Sequence, residues 1–430
     1  MARKMKDSGI EWIGEIPEGW EIKRLGAILQ ERNEVNNPIQ TTSILSLTNN
    51  RGVIPYSEKG NQGNKAKDDL TGYKIAHIGD IVLNSMNVII GSVGLSNYYG
   101  AVSPVYYMLF PRNNIETNIQ YYNYLFQTTA FQQSLRGYGN GILEIRMRIQ
   151  MQKLKTVLLP VPTFLEQSNI TVYLDASLSK LNILLSKTRS SIEEYKKFKQ
   201  AVITQAVTKG VRGEREMKDS GVDWIGKIPK EWVIQKIKSI SSRINVGVVI
   251  RPSEYFDENG TVPFLRGINV KEYLISSDNM VYINESSNRI LSKSQVHTDD
   301  ILIVRDGSIG TSCVVPAEFD GANVVSMVIA TPSISCDSRF ICYSLNSDVG
   351  KTQFTLTKIG SALTHTSVSA VSDIIVAVPS CAEQKEIADY LDAKCAEIDG
   401  LIAKKEQLVK ELESYKKSLI YEVVTGKREV

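Results

Sequence analysis

The sequence predicts a mixed α/β chain. Two α/β domains are separated by a pair of long antiparallel coiled-coil helices, with pseudo-two-fold symmetry. Three observations lead there. A proline-free stretch at 166–210 returns at 383–427, shifted by 217, with 14 of 45 positions identical. A tryptophan-rich loop at 5–28 returns at 217–240, with 13 of 24 positions identical. Between each loop and each long stretch lies a strand-rich segment of about 140 residues, the size of an ordinary domain.

The long stretches carry a heptad seam. Leu174, Leu178, Leu181, Leu185 and Ile192 line the first copy, and Leu391, Cys395, Ile398, Ile402 and Val409 the second. The same two seam positions are polar in each copy, Thr188/Lys405 and Lys199/Lys416. A seam over four heptads argues for coiled-coil packing, each helix being about 65 Å long at 1.5 Å per residue. A one-sided apolar stripe needs a partner. The other copy in the same chain supplies one, with Leu174, Leu181, Leu185, Ile192, Leu391, Ile398, Ile402 and Val409 at the helix-pair interface. Leu181 and Ile398, both on the heptad, are expected to be buried.

The loops at 5–28 and 217–240 share Trp12/Trp224, Gly14/Gly226, Pro17/Pro229 and Trp20/Trp232, which are all four tryptophans of the chain. Ile-Pro between paired tryptophans reads as a docking loop whose indoles fill a pocket, in preference to base stacking. In the first segment, strand-like runs fall at 43–47, 81–83, 88–90, 105–110 and 157–159. In the second they fall at 262–265, 301–304, 324–330 and 374–378. Amphipathic helices are expected at 120–134 and 338–346. The segments themselves are weakly related. Gly79-Asp80-Ile81-Val82-Leu83 matches Asp299-Asp300-Ile301-Leu302-Ile303, and Gly91-Ser92-Val93-Gly94 is matched to Gly307-Ser308-Ile309-Gly310. Val161-Pro162 and Val378-Pro379 end each segment before its helix. The shape expected is a dumbbell with a domain near each end of the helix pair.

Composition bounds the function. Hydrophobic residues at 42% and charged residues at 23% suit a soluble globular protein, and no apolar run of 18 residues suggests a membrane span. Five scattered cysteines with no Cys-x-x-Cys favour a reduced cytoplasm. Residues 1–160 carry 17 Lys and Arg against 13 Asp and Glu, whereas residues 216–382 carry 15 against 18, so any polyanion surface is local. Catalytic motifs are missing. Asn36-Asn37-Pro38-Ile39 lacks the second proline and aromatic of an adenine methyltransferase loop. No Walker lysine loop or zinc spacing occurs. Glu383-Gln384-Lys385 has a repeat partner, Glu166-Gln167-Ser168, without lysine, and so reads as a helix start.

Taken together, Trp12–Trp20 and Trp224–Trp232, the helix starts Glu166–Asp175 and Glu383–Asp392, and the helix ends Ile203–Gly210 and Ile420–Gly426 resemble the specificity subunit of a Type I restriction–modification system. The resemblance spans essentially the whole chain. One departure is Thr208-Lys209-Gly210 for Thr425-Gly426-Lys427, which is expected only to shift the cap. The resemblance implies target recognition domains at 1–163 and 213–380 and conserved spacer helices at 164–212 and 381–430. Each domain would read one half of a bipartite, asymmetric site in double-stranded DNA through the major groove, with the helices setting the spacer. It implies two modification subunits that bind S-adenosylmethionine and methylate adenine, and restriction subunits that use ATP and Mg²⁺. It places no cofactor and no catalysis in this chain.

Base and phosphate contacts need Arg, Lys, Asn, Ser or glycine-rich backbone on loops. The candidates are Arg51, Lys65 and Lys67, and Arg136, Tyr138 and Asn140. In the second domain they are Arg251, Arg266, Arg305, Ser308, Lys358 and Ser361. Arg305-Asp306 equally suits an internal ion pair. Arg136–Asn140 and the run at 358–361 occupy matching places, and their glycines allow close backbone approach. Two other readings stand beside this one: a coiled-coil structural adaptor joining protein partners without nucleic acid, and an enzyme fused to its own recognition module.

Overall fold

Each half of the chain builds the same four-stranded antiparallel sheet. In the computed structural model, residues 3–49, 51–60, 65–140, 148–359 and 365–430 are described. They fall into two units, Met1–Arg189 with Gln407–Val430, and Ser190–Glu406. The sheet of the first unit contains β1 (Leu29–Arg32), β2 (Ile81–Asn84), β3 (Val93–Leu95) and β4 (Tyr106–Pro111), in the order β1-β4-β2-β3. In the second, β5 (Ser241–Val246), β6 (Ile301–Val304), β7 (Ser312–Val314) and β8 (Met327–Pro332) run β5-β8-β6-β7.

The central strands β2 and β6 are short, β-branched and buried on both faces. Alternation sends their side chains to two cores. Ile81 and Leu83 join the cluster that includes Trp20, Phe126 and Phe131, while Val82 joins Leu45, Leu47 and Val53 of a hairpin on the other face. Ile301 and Ile303 pack with Trp232 and Phe340, and Leu302 and Val304 with Leu265 and Val324.

Several expected elements differ. Residues 88–90 form a 3-10 turn rather than a strand, because Gly91 follows at φ 96 and bends the chain back into β3. The run at 324–330 is broken by Ser326 at φ 48, leaving Asn323–Val324 separate from β8. The helix expected at 120–134 is two, α1 (Ile119–Phe126) and α2 (Thr129–Ser134). The Thr128 hydroxyl donates to Leu125 O at 2.7 Å and accepts from Phe131 N at 3.3 Å, closing one helix and capping the next. The Gly-Ser matching was slipped by three residues. The ladders pair Ile81 with Leu95 and Ile301 with Val314, so Gly91 corresponds to Gly310, both at positive φ.

The long stretches are single helices, α3 (Phe164–Lys209, 46 residues) and α6 (Cys381–Val424, 44 residues), with α4 (Ser338–Asn346) and α5 (Asp348–Ile359) between them. They run antiparallel within each unit. In the first, Lys416 Nζ donates to Asn182 Oδ1 at 2.8 Å and Arg189 pairs with Glu413. In the second, Lys199 pairs with Asp399 at 2.6 Å and Arg212 with Glu386 at 2.8 Å. Leu174, Leu185, Ile192, Leu391, Ile398 and Ile402 are buried. Leu181 and Val409 are only half-buried, because a two-stranded seam leaves one edge of a knob in water. The polar seam positions are satisfied. Thr188 donates to Leu184 O, and the Lys405 ammonium sits over the Tyr195 ring.

Candidate nucleic-acid interface

The loops that face outward are held by a frame built twice. Strand Glu21–Arg24 pairs with Leu158–Val161, and Val233–Lys236 with Ile375–Val378, so each tryptophan loop lies beside the start of a long helix. Thr163 and Glu166 form a capping box. The carboxylate accepts from Thr163 N at 3.1 Å and the hydroxyl accepts from Glu166 N at 3.3 Å. The other Glu166 oxygen accepts from Trp20 Nε1 at 3.2 Å and from Arg3, whose guanidinium lies over the Trp20 ring. In the second copy Arg215 lies over Trp232 and pairs with buried Glu383 at 2.6 Å. Glu166 and Glu383 are thus structural helix-start residues. Burial works to raise the Glu166 pKa, but hydrogen bonds from Trp20, Thr163 and Arg3 outweigh it and hold the carboxyl below the ordinary range.

Gln167 and Gln384 staple the next layer. Gln167 Oε1 accepts from Asn118 N at 2.8 Å and Gln384 Oε1 from Asp337 N at 2.9 Å. Tyr124 donates to Asp175 and Tyr343 to Asp392. Burial and the Asp175 carboxylate push the Tyr124 pKa up to about 12. Sequence reading missed one repeated pair. Asp80 and Asp300, 2% and 1% exposed, accept from Arg32 and Arg243 at 2.9 Å and also cap the His77 and His297 amides. The signal was present as Asp before each Ile-(Val/Leu) strand, with an arginine in the first strand.

The tryptophan loops fill pockets only in part. Trp20 and Trp232 are buried, and Trp12 packs edge-on against Phe131. Trp224 is 40% exposed, because the position of Phe131 is taken by Gly350. The two helix ends close alike despite their different order, with Gly210 and Gly426 both left-handed, at φ 76 and 71.

On this frame, the loop after each central strand meets the segment that precedes a short helix. Ile149 N donates to Ser85 O at 2.9 Å, and Thr366 N to Arg305 O at 3.1 Å. Asp306 also bridges to His365. This brings the Arg136–Tyr138 turn, whose strand Gly139–Asn140 pairs with Arg148–Ile149, to the same edge of the first unit that the Arg305 and Ser308 loop occupies in the second. Arg136 and Ser308 are exposed, and Tyr138 packs partly on the core. Exposed Arg148, facing Asn140 in the ladder, was missed; Arg146-Met147-Arg148 was the signal. The side chains of Asn140 and Lys358, and all of Ser361, lie outside the described residues.

The other candidates divide by what already holds them. Arg51 pairs with Glu58, and Arg251, at φ 45, with Glu254 at 3.2 Å, both on exposed loops. Lys65 and Lys67 are exposed on a strap pinned by Tyr56 and Tyr73 hydroxyls to Ala66 N and Lys67 N. Arg266 and Arg305 are half-buried and bind backbone carbonyls, Asn279 O and, at 2.9 Å, Thr366 O. Arg305 therefore anchors its loop, and its neighbour Asp306 accepts instead from Ser326 at 3.3 Å.

The comparisons agree with this architecture. The profile of the Type I restriction modification DNA specificity domain matches residues 17–194 and again 229–411. A putative type I restriction enzyme MjaX specificity subunit from Methanocaldococcus jannaschii is 26% identical, over 96% of this chain and 95% of that protein. The EcoKI specificity subunit of Escherichia coli is 23% identical, over 47% of this chain and 44% of that protein. Among solved structures, a chain reported under complex assembly and conformational transition of the type I R-M system superposes with a TM-score of 0.74. It is 13% identical, with 96% of this chain and 99% of that chain covered. The HsdS subunit from Thermoanaerobacter tengcongensis gives 0.54 at 14% identity, over 96% and 98%. A profile matched over both halves sets aside the adaptor and fused-enzyme readings: the chain belongs to the Type I restriction modification DNA specificity family and is a non-catalytic DNA-recognition subunit of such a system.

Proposed function

We propose that the two units read two different half-sites of one bipartite, asymmetric duplex site, and that the chain thereby directs adenine methylation or cleavage by partner subunits. The observation that carries this reading is a frame whose main contacts are built twice beneath loops that are not alike. The Glu-Arg-Trp clamp, the glutamine staple and the Arg–Asp pair recur. The outward loops share no pattern beyond their place. In the first unit Arg136, Arg148, Lys65 and Lys67 meet DNA, with Arg51 at the hairpin turn. In the second Ser308, Arg251, Lys358 and Ser361 do so, while Arg266 and Arg305 shape the loops. Two modification subunits, carrying S-adenosylmethionine, dock on the repeated frame, and restriction subunits bring ATP and Mg²⁺. The complex works in the cytoplasm; no helix among the described residues is long and apolar enough to cross a membrane.

The test is to co-express the chain with its modification subunit and map methylated adenines across genomic DNA. The expected result is one motif with two unlike halves at a fixed spacing. A palindromic motif, or methylation without sequence preference, overturns the reading. Arg136→Ala is expected to weaken binding to all sequences alike and to lower the salt slope by about 1, as loss of one phosphate contact does.

A further inference from the structure

A groove in the first unit has a counterpart in the second that is already filled. The first lies between α1 and the long helices and is lined by Asn123, Tyr124, Asp175, Leu178, Asn182 and Lys416. Their counterparts at the same helical positions are Cys342, Tyr343, Asp392, Cys395, Asp399 and Lys199. The polar geometry is retained. Each tyrosine donates to its aspartate, and each lysine reaches across to the facing helix, Lys416 to Asn182 at 2.8 Å and Lys199 to Asp399 at 2.6 Å.

In the second unit the hairpin of Val270–Lys271 and Leu274–Ile275 turns on Glu272 and Tyr273. The Tyr273 ring lies against Tyr343, with centroids 4.8 Å apart, and Lys199 Nζ is 5.7 Å from its centre. Glu272 pairs with Lys351 at 2.7 Å. Tyr273 sits at φ 69, a conformation that a bulky residue keeps only when its surroundings hold it. In the first unit the hairpin of Leu45–Thr48 and Gly52–Pro55 packs on β3, as the Tyr273 hairpin packs on β7. It is tied through Asn49 to Ser92 at 2.6 Å, and none of its described residues lines the groove.

The open groove also differs in charge. Lys199 has a carboxylate partner, whereas Lys416 has the neutral Asn182 amide. Burial and nearby Arg189 push the Lys416 pKa down, against the opposing pull of the Glu413 carboxylate. Asn123 replaces Cys342, so a hydroxyl that lacks a hydrogen-bond partner in the second unit, that of Tyr273, would meet an amide in the first.

We propose that the first-unit groove is a receptor for a tyrosine carried beside an acidic residue on a tight turn of a partner protein, seated as Tyr273 is in the second unit. The ring packs on Tyr124 and Leu178 beneath the Lys416 ammonium, a cation–π contact like that of Tyr273 with Lys199, and the acid takes the place of Glu272, with Gln132 at the position of Lys351. The chain's own plug is the probe. A fluorescent, disulfide-closed peptide bearing Val-Lys-Glu-Tyr-Leu-Ile, the sequence of 270–275, is titrated into the full chain. One equivalent is expected to bind, at least tenfold more tightly than the same peptide with alanine for tyrosine. Ser179→Arg, an exposed substitution in the groove wall, is expected to abolish binding. Tyr273→Ala, which leaves the hairpin backbone over the second groove, is expected to keep the stoichiometry at one. The proposal is overturned by binding only to the Tyr273→Ala chain, by equal binding of the alanine peptide, by binding that ignores Ser179→Arg, or by no binding to either chain.

Discussion

Glu383 and Glu166 hold the same place in the repeat, but burial separates them. The Glu383 side chain is 2% exposed and its partner Arg215 14%, whereas Glu166 is 31% exposed. Removing one member of a buried pair leaves the other charge under-compensated, although Arg215 keeps the exposed Glu231 carboxylate at 2.9 Å. Glu383→Ala is therefore expected to cost about 3 kcal/mol in urea unfolding, and Glu166→Ala about half of that. Equal costs would show that the arginines are not stranded. Glu166 also sets a pH dependence. Its native pKa is depressed, so its contribution is complete above the unfolded value and is lost as pH falls through the native one. Stability should fall on acidification below about pH 4.3, and Glu166→Gln should flatten that part of the curve. An unchanged acid limb in the variant would remove Glu166 as its source.

At the scale of the element, the heptads identified the helices but not how deeply each knob is buried. Leu181 and Ile398 occupy equivalent seam positions, and sequence periodicity gives no reason to distinguish them. Ile398 is 1% exposed, while Leu181 is half-buried against the first-unit core. Ile398→Asp is expected to cost about 4 kcal/mol, and Leu181→Asp clearly less, because a half-buried carboxylate keeps part of its water. Thermal melting of the two variants measures the difference; a larger loss at Leu181 would reverse the assignment. The short elements show the same limit. The strands at 262–265 and 301–304 and the helix at 338–346 were legible because pattern and end signals agreed. Residues 88–90, equally β-branched, turn because of the glycine beyond them.

At the scale of the whole molecule, the repeat suggests a chain cut from a circle. Within the first unit the last turns of α6 pack on the opening loop. Tyr421 donates to Trp12 O at 3.0 Å, and Leu419, Val423 and Val424 share a core with Ile13, Ile16 and Trp20. Within the second, Ile203, Ala206 and Val207 meet Ile225, Ile228 and Trp232 in the same way. A permutant beginning at Glu216, with Val430 joined to Met1, is expected to fold and direct methylation to the unchanged site. Residues 1–215, supplied with the modification subunit, are expected to pair with a second copy through Leu174, Leu185 and Ile192, whose apolar surface otherwise meets water at about 25 cal/mol per Å². Adenine mapping should then reveal a symmetric site made of two first half-sites. An unfolded permutant, or a half-chain complex that methylates only the asymmetric site, would contradict the circular reading.

What the sequence determined by itself was whatever repeats at short range. The heptads, the capping residues, the Ile-Pro between tryptophans and the prolines before each helix are local patterns, and each names its element without knowledge of its neighbours. Doubling strengthened them, since Glu166 and Glu383, read together, were recognisable as helix starts. Only the tertiary structure decided which charges are spent inside. Arg305 looks like a groove reader in sequence and is an anchor to Thr366, whereas Arg148, not singled out in sequence, is exposed on the strand that pairs with Gly139–Asn140. A hydrogen bond between residues 61 positions apart leaves no trace in the composition around either one. The same holds for the two grooves, where equivalent helices share a tyrosine, an aspartate and a lysine, and the hairpin of the second unit covers its groove while no described residue of the first unit's hairpin lines the other.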